Sequence, residues 1–353
     1  MSTSLLKVLL LRMLAGLQEV DDTDFRPIER WIVETHLGAA MFELIGKNSQ
    51  FEYLAAQEQF YANIFRSTVQ QNAFSEIIKA LSEKNIDLLL LKGASITPVA
   101  WDQPYLRYQA DIDFMVRREA MAKVSDYMRS AGFQFSKPHR IGHYFDDLPV
   151  TNKEGQLEMF SADEQQVQIE VHSEVFLGHV QRLTTDRQED DLWERRVMAE
   201  ASHVLKASLW RLSNEDLLLH IIIHTAINHQ FNKDVARNFI DLIRLAHRLP
   251  IDWDLLFEHI QKRKVVTATW LTLTLMQEIF DENPYTPLLN KLNLQAGSLK
   301  QIVLKKLIHR EKILNLYIIS RTRWRYALLL LMVDRVGDML RLIIRLPTLE
   351  KTI

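Results

Sequence analysis

The chain has no cysteine. Disulfides, thiolate metal centres and cysteine nucleophiles are therefore excluded, and a reducing cytoplasm suits the composition. Glycine and proline are scarce, ten and nine in 353 residues, which favours helices over many tight turns. No secretory leader is recognisable. Met1 to Leu17 is leucine-rich, but Lys7 and Arg12 interrupt it and no cleavage pattern follows, so it reads as an amphipathic helix. No membrane span is expected either. Tyr326 to Leu346 is apolar in places, yet Asp334, Arg335, Asp338, Arg341 and Arg345 make a spanning helix costly. A strong net charge is also missing, at −2 for the whole chain. Its distribution is uneven: Gly297 to Ile353 holds twelve Lys or Arg against four acids. Two readings of that basic end stay open, contact with phosphate or anionic lipid and packing on the acidic remainder.

With 47% hydrophobic and 25% charged residues, the chain is long and apolar enough to bury a substantial core. Residues 1–84 read as a helical region. Leu6, Leu9, Leu10, Met13 and Leu17 follow helical spacing, Arg26-Pro27 suggests a second start, and Phe51 to Ser82 reads as one long helix. Residues 85–210 change character. Short apolar or alternating runs at Leu88–Leu91, Asp111–Val116, Phe133–Phe135, Gln156–Phe160, Val167–Val175 and His203–Lys206 predict strands. A helix from Arg118 to Ser130 lies among them and ends at Gly132. Asn152 to Gly155 and Ser161 to Glu164 read as turns. The expectation is an α+β domain, a mixed sheet with helices on one side. Residues 211–353 return to helices: Leu217–His229 behind the N-cap Ser213, Asp234–Arg248, Trp253–Lys262, Val265–Phe280 and Leu299–Leu346.

The chemistry concentrates in Ile86 to Val116. Leucines 88–91 stop at Lys92-Gly93-Ala94-Ser95, a short helical stretch follows, and a polar loop carries Arg107. The next strand opens with Asp111 and Asp113, whose side chains leave the same face because strand side chains repeat every two residues. Two adjacent carboxylates repel each other, and a divalent cation is the simplest partner that offsets this.

This layout resembles the nucleotidyltransferase superfamily that includes DNA polymerase beta. The closer likeness is to the bacterial family of uncharacterised nucleotidyltransferases, which carry a Lys-Gly-Ala turn and an Arg ahead of Asp-Ile-Asp, as Lys92-Gly93-Ala94, Arg107 and Asp111-Ile112-Asp113 do here. It covers about Leu81 to Arg263. The resemblance implies a nucleotidyltransferase-like fold and transfer of a nucleoside monophosphate, AMP by default, from an NTP, most simply ATP, to an unidentified acceptor. It also implies Mg2+ or Mn2+ and a third carboxylate on a neighbouring strand. Glu170 in Val167 to His172 is the candidate, although the superfamily more often has Asp there. His172 shares its face and could orient it or touch phosphate.

Under that resemblance Asp111, Asp113 and Glu170 are the catalytic metal ligands. Lys92, Gly93 and Ser95 grip the triphosphate at a helix start, where backbone N–H groups favour anions. Arg107 either clamps phosphate or pairs with Asp111. His224 and Asp241 read as contacts joining the helical part to the site. His220 and His224 stand one turn apart, but no Glu follows His220 as in a zincin motif, so a zinc site is not expected. Trp253, Trp270, Trp324 and Tyr326 lie among leucines and read as packing; nucleic-acid binding through Arg321, Arg323 and Arg325 is not favoured. Two rival classes remain. One is a non-catalytic nucleotide- or partner-binding protein on the same fold. The other is a glycosyltransferase using the Asp pair, which would want a longer parallel α/β domain ahead of the acids.

Overall fold

The computed structural model describes residues 2–19, 23–47, 49–136, 157–162, 167–173, 189–199, 208–231, 234–281, 283–293, 298–310, 314, 322–334 and 339–340. At its centre lie seven strands: β1 (Leu88–Leu90), β2 (Ile112–Met115), β3 (Gln134–Ser136), β4 (Leu157–Ala162), β5 (Val167–His172), β6 (Val197–Met198) and β7 (Leu209–Arg211). They form one mixed sheet in the order β3-β4-β5-β2-β1-β7-β6. β1 runs antiparallel to β2 and parallel to β7, while β2 runs parallel to β5. The α+β expectation stands. The runs at 88, 111, 133, 156 and 167 all lie on strands, whereas His203–Lys206 falls outside the described residues and its neighbours β6 and β7 were not foreseen. The turn at 152–155 and residues 163–164 of the other expected turn also lie outside the description, and Ser161 and Ala162 end β4.

Each face of the sheet has its own cover. Leu88, Leu90, Ile112, Phe114, Ile169 and Val171 pack on Ile77, Ile78 and Leu81 of the helix Leu54–Glu83 and on Val124 and Met128 of the helix Met121–Ser130. Leu89, Leu91 and Met115, on the opposite face, join Ile96 and Ala100 of the helix Lys92–Ala100 and Leu217 to Ile223 of the helix Asn214–Ile223. Helices therefore cover both faces, which corrects the one-sided arrangement expected from sequence. Four consecutive leucines present apolar surface on both sides of β1, and a strand buried on both faces needs two layers of cover. Phe114 is fully buried in the smaller core, where truncation to Ala costs about 3–5 kcal/mol.

The long helix runs Leu54–Glu83, 30 residues or roughly 45 Å, close to its expected bounds. The helix Met121–Ser130 ends at Gly132 with φ +87°, a left-handed conformation that glycine adopts without steric cost. Ser213 Oγ caps the following helix by accepting from the Asp216 N–H at 3.2 Å. The N-terminal helix Thr3–Leu14 buries Leu6, Leu10, Leu11 and Leu14 in the same core as Leu242 and Trp270 of the C-terminal part. Arg12 Nε donates to the Ile279 carbonyl at 2.8 Å, and Arg244 Nε to that of Leu14 at 2.7 Å.

In the stretch Leu299–Leu346, where helix was expected, the described residues include the helices Ser298–Leu307 and Thr322–Met332, with a break at Ile308 and His309. Asp334 lies just past the second of these helices. Its carboxylate accepts the N–H groups of Val266 and Thr267 (2.6 and 2.9 Å), capping a helix nearly seventy residues earlier. Trp270 is buried with Nε1 donating to Asn293 Oδ1 (2.7 Å), and Trp253 meets Tyr285 edge-on. The side chains of Trp324 and Tyr326 and residue Arg321 lie outside the description. Among the described residues, no helix is long and apolar enough to cross a membrane.

Candidate active site

Strand pairing assembles the site. The parallel register sets Asp113 opposite Glu170 and Met115 opposite His172, so the acids of β2 and β5 point from one face of adjacent strands. β1 ends beside them, and the chain turns into the helix Lys92–Ala100 with Lys92 at φ +43°. That backbone aims the Lys92 side chain back at the carboxylates. Its Nζ lies 2.6 Å from Asp113 Oδ1 and 3.1 Å from Glu170 Oε2. His172 Nε2 meets the same two oxygens, at 2.9 and 3.5 Å. Asp113 and His172 are almost sealed (1% and 4% side-chain exposure), while Lys92 keeps 24% and marks the solvent side.

Electrostatics follow from this crowding. Burial alone would pull the Lys92 ammonium down, but Asp113, Glu170 and Asp111 outweigh it and hold its pKa well above the ordinary value. Burial pushes Glu170 up, and Lys92 and His172 overcome that, so its carboxyl stays well below the usual range. His172 is raised because its hydrogen bonds to Asp113 and Glu170 outweigh burial. Asp111 is the loser of the group. Burial and the charges of Asp113 and Glu170 raise it to about 8, against opposing pull from Lys92 and His172.

One donor atom each from Asp113, Glu170 and His172 lie within 4.8 Å of one another, a mixed oxygen and nitrogen set able to hold a divalent ion. Asp111 is outside that trio. It stands one residue before β2, with partial exposure, close enough to feel both acids. The expected third carboxylate, Glu170, thus faces Asp113, and His172 joins it. A divalent metal fits the donor chemistry.

The other expected residues take different places. The Gly93 N–H and those of Lys92 and Ala94 precede the first helical bond, from the Ser95 N–H to the Leu91 carbonyl (3.2 Å). The Ser95 hydroxyl is buried and forms no hydrogen bond among the described residues, so it lies beneath the turn rather than at its open end. Gly93 is demanded by packing. A Cβ there would lie 2.8 Å from Arg107 Nη1 and 2.9 Å from Gln109 Oε1.

Arg107 pairs with Asp241 and not with Asp111. Its Nε and Nη2 each reach Asp241 Oδ2 at 2.9 Å, both side chains are buried, and Trp101 Nε1 donates to Asp241 Oδ1 at 2.7 Å. With the guanidinium engaged in this way, Arg107 braces the loop ahead of Asp111. Asp241 joins the helix Val235–Arg248 to that loop. Neighbours on the same helix face do likewise: Arg237 donates to the Tyr108 carbonyl and Arg244 to that of Ala100, both at 3.2 Å, and Arg248 pairs with Asp102. From the other side Gln70 Nε2 donates to the carbonyls of Gln109 and Ala110. Sequence reading missed these braces; the spacing 237, 241, 244, 248 of charged residues along one helix face was the available signal.

His224 bonds within its own turn, to His229 Nε2 (2.7 Å) and Asn228 (3.2 Å). The histidine that senses the site is His220. Burial, then the charges of Lys92 and His172, lower its pKa to about 3. A cavity of about 460 Å³ lies between the long helix and the Lys92–Ala100 helix, lined by Gln70, Phe74, Thr97, Trp101, Arg107 and Gln109 among others. It adjoins Leu90 and Ile112, on the face opposite the carboxylates.

With this geometry in place, the family described as Uncharacterised nucleotidyltransferase matches the chain over residues 24–281, enclosing Lys92, Arg107, Asp111, Asp113, Glu170, His172 and Asp241. The chain belongs to that family. The match extends well beyond the stretch whose motifs resembled it, taking in much of the N-terminal helices and the helix Val266–Ile279. Among curated proteins, none matches the chain. By family, this nucleotidyltransferase acts on a nucleotide, and its acidic cluster suits the divalent metal such enzymes use.

Proposed function

We propose that this nucleotidyltransferase moves a nucleoside monophosphate, AMP by default, from an NTP such as ATP to the hydroxyl or phosphate of an acceptor. The bond formed joins the acceptor oxygen to the α-phosphorus; the bond broken frees pyrophosphate, and the acceptor proton passes to solvent. The reading is carried by the register of Asp113 against Glu170 beside the turn of Lys92. Asp113, Glu170 and Asp111 would hold Mg2+ or Mn2+, with His172 as an added donor or as the group that orients the two acids. When bound, the ion supplies charge neutralisation for the triphosphate and polarises the acceptor oxygen. Lys92 and the free N–H groups of the first helical turn would meet the phosphates. Arg107, through Asp241 and Trp101, would keep the loop before Asp111 in place and is a positioning residue in this scheme.

The test is incubation with each α-labelled NTP, Mg2+ and cell extract, following which molecule gains label. Asp113→Asn should abolish labelling while circular dichroism stays that of the parent. Equal labelling by this variant would overturn the metal assignment. A non-catalytic nucleotide-binding role is the second reading, favoured by the fact that Lys92 already satisfies two of the carboxylates. Mg2+-dependent nucleotide binding with no labelled product from any NTP would select it.

A further inference from the structure

We propose that Lys92 is the resident counter-cation of this site, and that an incoming divalent metal must displace it. The inference rests on the metal-dependent reading above and adds to it a competitor built into the chain. Lys92 Nζ sits on Asp113 Oδ1 and Glu170 Oε2, and both acids belong to the trio able to hold an ion. An ion held by Asp113 Oδ1 and Glu170 Oε2 would take up the space that the Lys92 ammonium fills and repel its charge, so lysine and metal compete there.

Two further features fit a side chain made to leave. First, the lysine occupies the open side of the cluster, more exposed than either Asp113 or Glu170 (24% against 1% and 14%). It can withdraw toward solvent without unpacking the core. Second, its ammonium ends a flexible four-carbon stem, so leaving needs only rotamer changes. A displaced ammonium stays on the first turn of the helix, beside the N–H groups of Gly93 and Ala94. The same residue thus holds the acids together before loading and meets the phosphates afterwards. Metal and nucleotide binding are coupled through it.

The experiment measures Mn2+ binding to the free protein at pH 8 by the loss of the free-ion paramagnetic resonance signal, with no turnover involved. Lys92→Met should bind Mn2+ about tenfold more tightly than the parent, a change equivalent to about 1.4 kcal/mol. Lys92→Arg, which keeps a cation, should remain within about threefold of the parent. Lys92→Gln serves as a second neutral variant should Lys92→Met not fold, and Asp113→Asn should abolish binding in every background. Unchanged or weaker Mn2+ binding in the neutral variants, with parent binding intact and dependent on Asp113, overturns the counter-cation role and leaves the transferase reading standing. If neither parent nor folded neutral variants bind Mn2+, the metal-dependent reading falls and this inference with it.

Discussion

Breaking the Arg107–Asp241 pair tests how the loop before the acids is held. Asp241 has no exposed surface and accepts from Trp101 Nε1 as well as Arg107, whose side chain is also buried. Removing one partner leaves the other charge buried without compensation, a loss of about 3–5 kcal/mol. Total stabilities commonly lie near 5–15 kcal/mol, so the effect is large. Asp241→Asn and Arg107→Met should each shift the urea midpoint downward by the equivalent of about 3 kcal/mol or more, at unchanged slope. The double variant Arg107→Met/Asp241→Leu should recover much of the loss, because an apolar pair needs no charge compensation. Urea unfolding followed by circular dichroism measures the cycle, and tryptophan fluorescence adds a local report because Trp101 donates to Asp241. Equilibrium binding of a fluorescent ATP analogue completes it. A loss below about 1 kcal/mol for Arg107→Met, with coupling near zero and ATP affinity down tenfold, would refute the bracing argument and make Arg107 a phosphate clamp.

Three other substitutions probe the same architecture. His220 titrates near 3 in the folded protein and near 6.5 unfolded. Its contribution is therefore intact above pH 6.5 and is lost as pH falls from there toward 3, by about 1.4 kcal/mol per unit. Between pH 7.5 and 5 the parent should lose about 2 kcal/mol more than His220→Gln, measured by urea unfolding at both values; parallel losses would remove His220 as the cause. Gly93→Ala places a methyl 2.8 Å from Arg107 Nη1, an atom whose guanidinium Asp241 holds, and should cost about 1–3 kcal/mol. Gly132→Ala meets nothing within 4 Å and should cost only the backbone penalty of its positive φ, about 1 kcal/mol. Equal thermal shifts for the two glycine variants would count against the Arg107 contact.

Much of the fold was legible because local patterns carried it. Helical spacing, Ser213 as a cap and Gly132 as a stop act within a few residues, and the chain obeys them. Alternation put Asp111 and Asp113 on one face, and likewise Glu170 and His172. The places where local reading failed share one trait, a partner distant in sequence. Asp334 caps a helix nearly seventy residues earlier, β1 needs cover on two faces, and Arg107 turns to a helix more than a hundred residues on.

The sequence alone determined which side chains share a strand face, because an extended backbone sends successive side chains to opposite sides whatever its neighbours. It could not determine which strands would be neighbours. Pairing of β2 with β5 in register, and of Lys92 with both acids, is decided by the packing of two cores against one sheet. That packing sets Asp113 within reach of Glu170, raises Asp111 and engages Lys92, since charge interactions depend on separation in space and not along the chain.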